Sequence, residues 1–168
     1  MTASEQQLAP EVLRDICGRW ATGVAIVTGT DTDGTPLGLA VNSFTSLSLD
    51  PPLILFCPAH SSSTWPRIRK TSQFAVNVLS DRQAHLVRAF ARSGGDKFAG
   101  VEVVPTPDGL PAFAGAAARL VCRVDDIHPG GDHEIVVGRV LRTEQSDAEP
   151  LLFHRGMTKA LSMVSVSR

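Results

Sequence analysis

The sequence predicts a mainly β protein, a barrel of about seven strands carrying peripheral helices. Three observations predict it. Short β-like runs such as 23–29 and 73–79 recur along the chain and are joined mostly by turn residues. Helical stretches do not alternate regularly with these runs, which argues against a doubly wound parallel sheet. The G-x-G-x-x-G and G-x-x-x-x-G-K loops are absent, so a nucleotide site here needs another architecture.

Each element has its own signal. Pro10 suits the first turn of a helix. Val12, Leu13, Ile16, Cys17 and Trp20 then share one face over 11–20. The run 23–29 is β-like, Asp33-Gly34 is a hairpin signal, and 37–42 is the return strand. Pro51 and Pro52 break the chain before a strand at 53–57. After the strand at 73–79, Ser80 and Gln83 have capping-box spacing. They open a helix to about residue 91, with Leu86, Val87 and Phe90 inward. A polar loop at 93–97 and a turn at 108–111 follow. Strand patterns at 116–127 and 134–143 flank a tight turn, 128–133. A short strand at 151–153 precedes His154-Arg155-Gly156.

The 168 residues fit one domain with a sizeable core, expected over 11–160 between a flexible 1–10 and a tail at 161–168. A net charge of −1 gives no electrostatic footprint for nucleic acid. No apolar run reaches bilayer length, and MTASEQQLAPEV lacks the basic start and apolar core of a secretion signal. The expected location is the cytoplasm, away from membranes. Cys17, Cys57 and Cys122 form neither a disulfide framework nor a zinc pattern. They read as small buried apolar residues. Cys57 is the exception to watch, since it closes a strand beside a hydroxyl cluster.

The segment 38–48, GLAVNSFTSLS, carries the functional signal. Small residues let a flat ligand approach the backbone. Amides and hydroxyls orient it. The cluster Ser61–Thr64 opens a short helix-like stretch, where free N–H groups favour a phosphate. The combination suggests a phosphorylated aromatic ligand. A β-bulge with satisfied polar groups is the plain alternative for Asn42 and Ser43. His133 follows Gly130, Gly131 and Asp132, and reads either as a donor or acid aimed into a cleft or as a solvated loop histidine. His60, His85 and His128 read as surface residues, and His154 is open. Arg155 reads as a pyrophosphate partner or a surface ion pair. Trp65 and Phe44 read as ligand walls or as ordinary core aromatics.

Seven segments in order carry a resemblance: 19–24 (RWATGV), 41–46 (VNSFTS), 50–52 (DPP), 74–78 (FAVNV), 96–100 (DKFAG), 131–133 (GDH) and 150–156 (PLLFHRG). The chain resembles, over about residues 11–156, the short-chain flavin reductases that serve two-component flavin monooxygenases. The resemblance implies an FMN-binding split β-barrel of Greek-key type, a homodimer, and NAD(P)H-dependent reduction of FMN or FAD. Reduced flavin would diffuse to a separate flavin-dependent oxygenase. It also implies site residues. Pro36, Leu37, Gly38, Leu39, Ala40, Asn42, Ser43, Phe44 and Thr45 would line the isoalloxazine and ribityl chain. Cys57, Pro58 and Ala59 would lie along the flavin. Ser62, Ser63 and Thr64 would meet its phosphate, with Trp65 packing nearby. Phe90, Lys97 and Phe98 would complete the phosphate or adenylate side. His133, the one expected catalytic residue, would contact NADH or NADPH together with Phe153, Arg155 and Gly156.

Two departures from the family pattern stand out. His154 replaces a common Tyr, and His60 replaces the Lys that commonly precedes the hydroxyls. Phosphate binding then rests more on neutral donors and on Arg67, Lys70 or Lys97. Hydride transfer needs no protein nucleophile, because the cofactors carry the chemistry. The protein need only donate near flavin N5 and stabilise charge near N1, which backbone N–H groups at 42–45 can do. Two other classes fit less well: a split-barrel oxidase acting on a phosphorylated pyridine, which needs a basic cluster, and a non-catalytic flavin or haem module.

Overall fold

The computed structural model describes residues 8–161. The elements are α1 (Pro10–Cys17), β1 (Thr22–Gly23), β2 (Ala25–Thr30), β3 (Pro36–Val41), β4 (Thr45–Ser48), β5 (Leu53–Phe56), α2 (Trp65–Ile68), β6 (Gln73–Val78), α3 (Ala84–Ala91), β7 (Ala118–Gly130), β8 (His133–Gln145), β9 (Leu151–His154) and β10 (Met157–Ala160). Single 3-10 turns follow α2 and precede α3. Seven strands form one antiparallel sheet in the order β3-β2-β6-β7-β8-β5-β4, and three form a second, β1-β9-β10. Neither sheet closes on itself, so the mainly β architecture is that of a split barrel. The expected termini, 1–10 and 161–168, lie almost wholly outside the described residues. Only Leu8, Ala9, Pro10 and Leu161 of them are described, and Pro10 already belongs to α1.

Strand count and boundaries differ from expectation. The run 23–29 splits into β1 and β2, because Thr22 and Gly23 pair with Phe153 and Leu152 of β9. β4 and β10 were not foreseen. The turn between β7 and β8 shrinks to Gly131-Asp132, with His128–Gly130 paired inside the strand. α1 stops at Gly18, whose N–H donates to Arg14 O at 2.9 Å, rather than running to residue 20. Its apolar side finds no cover: Val12, Leu13 and Ile16 are exposed, and Trp20 is 78% exposed. Cys17 is likewise exposed and Cys57 half-buried, so only Cys122 is the buried apolar thiol expected of all three.

The core lies on both faces of β2 and β6. Alternate residues point to opposite faces of a strand. Val27, Phe74 and Val76 join Phe56, Trp65 and Ile68 on one side. Val24 and Ile26 join Leu79, Leu86, Phe90 and Phe113 on the other. On the first side Phe56, Trp65 and Phe74 meet edge to face, with ring centroids 5.1, 5.4 and 6.1 Å apart. Buried Asn77 is held in β6 because its amide donates to Ile26 O at 3.1 Å and to Thr28 Oγ1 at 3.0 Å. α3 follows the expected cap: Ser80 N–H donates to Gln83 Oε1 at 3.0 Å.

The long connection from α3 to β7 is pinned by a small ion-pair network around Asp108 and Arg119, with Glu144 3.4 Å from the guanidinium. Arg119 donates to both carboxylate oxygens of Asp108, at 2.7 and 3.1 Å. The Leu110 N–H and the Thr106 hydroxyl add bonds to Asp108 at 3.0 and 3.1 Å, and Arg142 contacts it from outside. Burial pushes the Asp108 carboxyl up, but these donors, Arg119 foremost, outweigh it and hold it well below the usual carboxylate range.

Candidate functional site

The site is built where β3 leaves the large sheet. Beyond Val41 the chain departs from β2, and Ser43 clips it to the end of β5. Cys57 N–H donates to Ser43 Oγ at 2.9 Å, and that hydroxyl lies 3.3 Å from Cys57 O. Polar residues at 42–43 thus mark a bend of the strand path, which is why they replace Val or Ile there. No bulge lies at 42–43: Ser43 is a structural clip that borders a cleft, and Asn42 is exposed.

That cleft has a volume of about 350 Å³, within the usual range for small-molecule sites. Its walls are Leu39–Ser43 from β3 and beyond, Cys57–Ala59 after β5, the hydroxyls Ser61–Thr64, Phe90–Ser93 at the end of α3, Lys97, and His133 at the start of β8. A second cavity of about 240 Å³ continues past Ser63, Thr64 and Lys97. It takes in Pro36, Leu37, Gly38, Arg67 and Phe98. Gly38 is required there, since a Cβ would sit 2.6 Å from the Phe90 ring. A third cavity of about 680 Å³ lies against α1 and is bordered by Trp20, Phe153, Arg155 and Gly156. Asn42 borders both this cavity and the first cleft.

The structure brings many of the expected site residues into one cleft and sets several apart. Leu39, Ala40, Asn42, Ser43, Cys57, Pro58, Ala59, Ser62, Ser63, Thr64, Phe90, Lys97 and His133 share the first cleft. Trp65 does not join them; it is 2% exposed, in the aromatic core. Phe44 packs on the same core, and Thr45 lies on exposed edge strand β4. Neither borders a described cavity. Phe153, Arg155 and Gly156 stand in the α1 cavity, apart from His133. Arg155 and Gly156 form the turn between β9 and β10 with φ of 51° and 78°, the paired left-handed geometry of a tight hairpin. Ser61, Arg92 and Ser93 were missed, because nothing in a loop's composition shows which cleft it faces.

The hydroxyl cluster works differently from expectation. α2 is four residues long, and Ser62 Oγ accepts the N–H groups of Thr64 and Trp65 at 3.3 and 3.2 Å. The Thr64 and Trp65 N–H groups at the helix start are therefore already taken by Ser62. What the corner offers instead is Lys97. Its Nζ donates to Gly38 O at 3.1 Å, Thr64 Oγ1 at 3.2 Å and Phe90 O at 3.4 Å. All three acceptors are neutral, and among the described residues no carboxylate pairs with it. Burial pulls the Lys97 ammonium below its ordinary value. A half-buried cation with no counter-ion, beside the Thr64 hydroxyl and two backbone carbonyls, fits a phosphate. Small residues along Leu39–Ser43 and Cys57–Ala59 leave room for a flat ring system, so the residues present fit a flavin.

Across the cleft His133 is placed by backbone pairing. It bridges Ala59, while His60 N–H donates to Asp132 O at 2.9 Å and Glu134 N–H to Pro58 O at 3.0 Å. Its Nδ1 lies 2.7 Å from Asp132 Oδ1, and that bond pulls the Asp132 carboxyl down. Burial pushes the Cys57 thiol up, away from the thiolate form. Among the described residues no group of three His, Cys, Asp or Glu could hold a metal, and no helix is long and apolar enough to cross a membrane.

Comparison with known proteins follows the same lines. The flavin reductase like domain family matches residues 17–162. The reductase subunit HsaB of a flavin-dependent monooxygenase from Rhodococcus jostii is 41% identical over 152 residues, covering 90% of this chain and 77% of that protein. A Rhizobium meliloti relative is 45% identical over 147 residues, and the chain spans 47% of its length. The NADH:FAD oxidoreductase SgcE6 of Streptomyces globisporus superposes with a TM-score of 0.85 at 34% identity, over 97% of this chain and 100% of that one. The cleft thus sits on the scaffold these proteins share, and the chain belongs to the flavin reductase like family as an NAD(P)H-dependent flavin reductase.

Proposed function

We propose that the protein binds FMN or FAD as a substrate, reduces it with NADH or NADPH, and releases it to a separate flavin-dependent oxygenase. The observation that carries this reading is the cleft between Asn42, Cys57–Ala59, Lys97 and His133. When bound, the nicotinamide nucleotide supplies the hydride and the flavin accepts it. The chain's own residues hold and shield the two. Lys97 and the hydroxyls anchor the phosphate. Leu39, Ala40 and Pro58 exclude water from the ring. His133 meets the nucleotide from the far wall. Phosphate binding by one unpaired cation and neutral hydroxyls supports flavin as a diffusible substrate. Purified protein with FMN or FAD should oxidise NADH or NADPH well above the flavin-only background. No such oxidation with either nucleotide would sink the reading.

His133→Ala is expected to raise the nucleotide KM by about tenfold to a hundredfold, the loss of one hydrogen bond of about 1–3 kcal/mol. Flavin affinity should stay near wild type, because the phosphate corner lies elsewhere in the cleft. A contact made only in the transition state would lower kcat as well. Stopped-flow reduction and flavin titration separate the cases, and wild-type constants would return His133 to a solvated histidine.

The working unit is a homodimer. Support comes from α1, whose Val12, Leu13 and Ile16 stay exposed beside Trp20 in a single chain. Contiguous exposed apolar surface of this kind marks association sites. Light scattering should give close to twice the 17.9 kDa chain mass, and a clean monomer at micromolar concentration would contradict it.

A further inference from the structure

We infer that Glu134 is a positioning residue that holds the flavin wall and the nucleotide wall in register; this rests on the flavin reductase reading above. Glu134 does not line the cleft. Its carboxylate instead ties together segments that do. Oε2 accepts the Trp65 indole N–H at 2.7 Å, and Oε1 accepts from Arg69 at 2.9 Å. Its own N–H donates to Pro58 O at 3.0 Å.

Each tie reaches a different part of the site. The backbone N–H of Trp65 donates to Ser62 Oγ, so a held indole also holds a residue within the hydroxyl cluster. Pro58 belongs to the ring wall. His133 is the preceding residue of β8. Successive side chains on a strand point to opposite faces. Fixing Glu134 towards α2 therefore fixes the rotation of β8 that turns His133 the other way, into the cleft. Trp65 is 2% exposed and the Glu134 side chain 23%, so water replaces this bond poorly if the carboxylate is lost. Sequence reading had no signal for this role, since the partners lie far from Glu134 in the chain.

The test compares Glu134→Ala with Glu134→Gln in the full-length protein, after wild-type activity is established. Absence of wild-type activity would fail the flavin reductase reading before any variant is made. Glu134→Ala is expected to raise the flavin KM and the NADH KM together, each about tenfold, since a displacement of about 1 Å in a positioned site can cost up to a hundredfold. Glu134→Gln keeps an acceptor for the indole and should recover most of that loss. Arg69→Met, at an exposed position, should give a weaker shift of the same two constants and serves if Glu134→Ala does not fold. A lowered melting temperature with both KM values unchanged would make Glu134 merely structural and overturn the proposal. So would movement of only one KM, or a glutamine variant as impaired as the alanine one.

Discussion

Lys97→Met should raise the flavin KM by about one to two orders of magnitude. One hydrogen bond to a charged group is worth about 1.5–3 kcal/mol, and each 1.4 kcal/mol is tenfold. The side chain keeps nearly its length, so the cavity walls stay filled and the effect reads the charge. Nucleotide KM should move little. The pH dependence has a fixed sign. The cation attracts phosphate only while protonated, and burial lowers its pKa from 10.5. Flavin affinity therefore weakens as pH rises through that lowered value, earlier than an ordinary lysine would allow. Methionine should abolish the alkaline limb. An unchanged flavin KM in the variant would place the phosphate elsewhere.

Asp108→Ala should cost up to about 3–5 kcal/mol of folding stability, the penalty for breaking a buried ion pair, with Glu144 at 3.4 Å left as the guanidinium's carboxylate partner. The side chains of Asp108 and Arg119 are 8% and 5% exposed, so the guanidinium left behind has little water to turn to. The melting temperature should fall by about 2–4 °C per kcal/mol. Breaking the exposed Asp15–Arg19 pair is the control and should cost under about 1 kcal/mol. The pair also sets an acid limit. The folded pKa of Asp108 lies below its ordinary value of 3.8, so its contribution is complete above that value. It declines as pH falls below 3.8 towards the folded value, because the unfolded chain takes up the proton first. Chemical denaturation from pH 7 to pH 3 measures this. A variant as stable as wild type would remove the ion pair as the clamp on the loop.

Much of this was legible because alternation and turn chemistry act locally. β2, β3, β5 and β6 announce themselves through apolar runs bounded by polar or turn-forming residues such as Asp31, Asn42, Pro58 and Ser80. β10 does not: MTKA has no β pattern and becomes a strand only through register with β9, Met157 opposite His154. Trp65 shows the limit for the site. Beside Ser62–Thr64 it looks like a ligand wall, but Phe56 and Phe74, distant in sequence, draw it into the core. His133 and Arg155 were grouped by family likeness, yet they stand in different cavities with Asn42 between.

The pairing of β5 with β8, Leu53 opposite Arg139, bears on how the chain is made. Residues 57–64 reach their place only when β5 docks on a strand near the far end of the sequence. A chain emerging from the ribosome, at about 5–20 residues per second, has no cleft until β8 has left the exit tunnel. Such long-range pairing is also slow to form. Flavin in the cell can stabilise finished molecules by mass action, but it cannot template nascent ones. Until β8 arrives, Leu53–Phe56 presents an unpaired strand edge of the kind that invites aggregation.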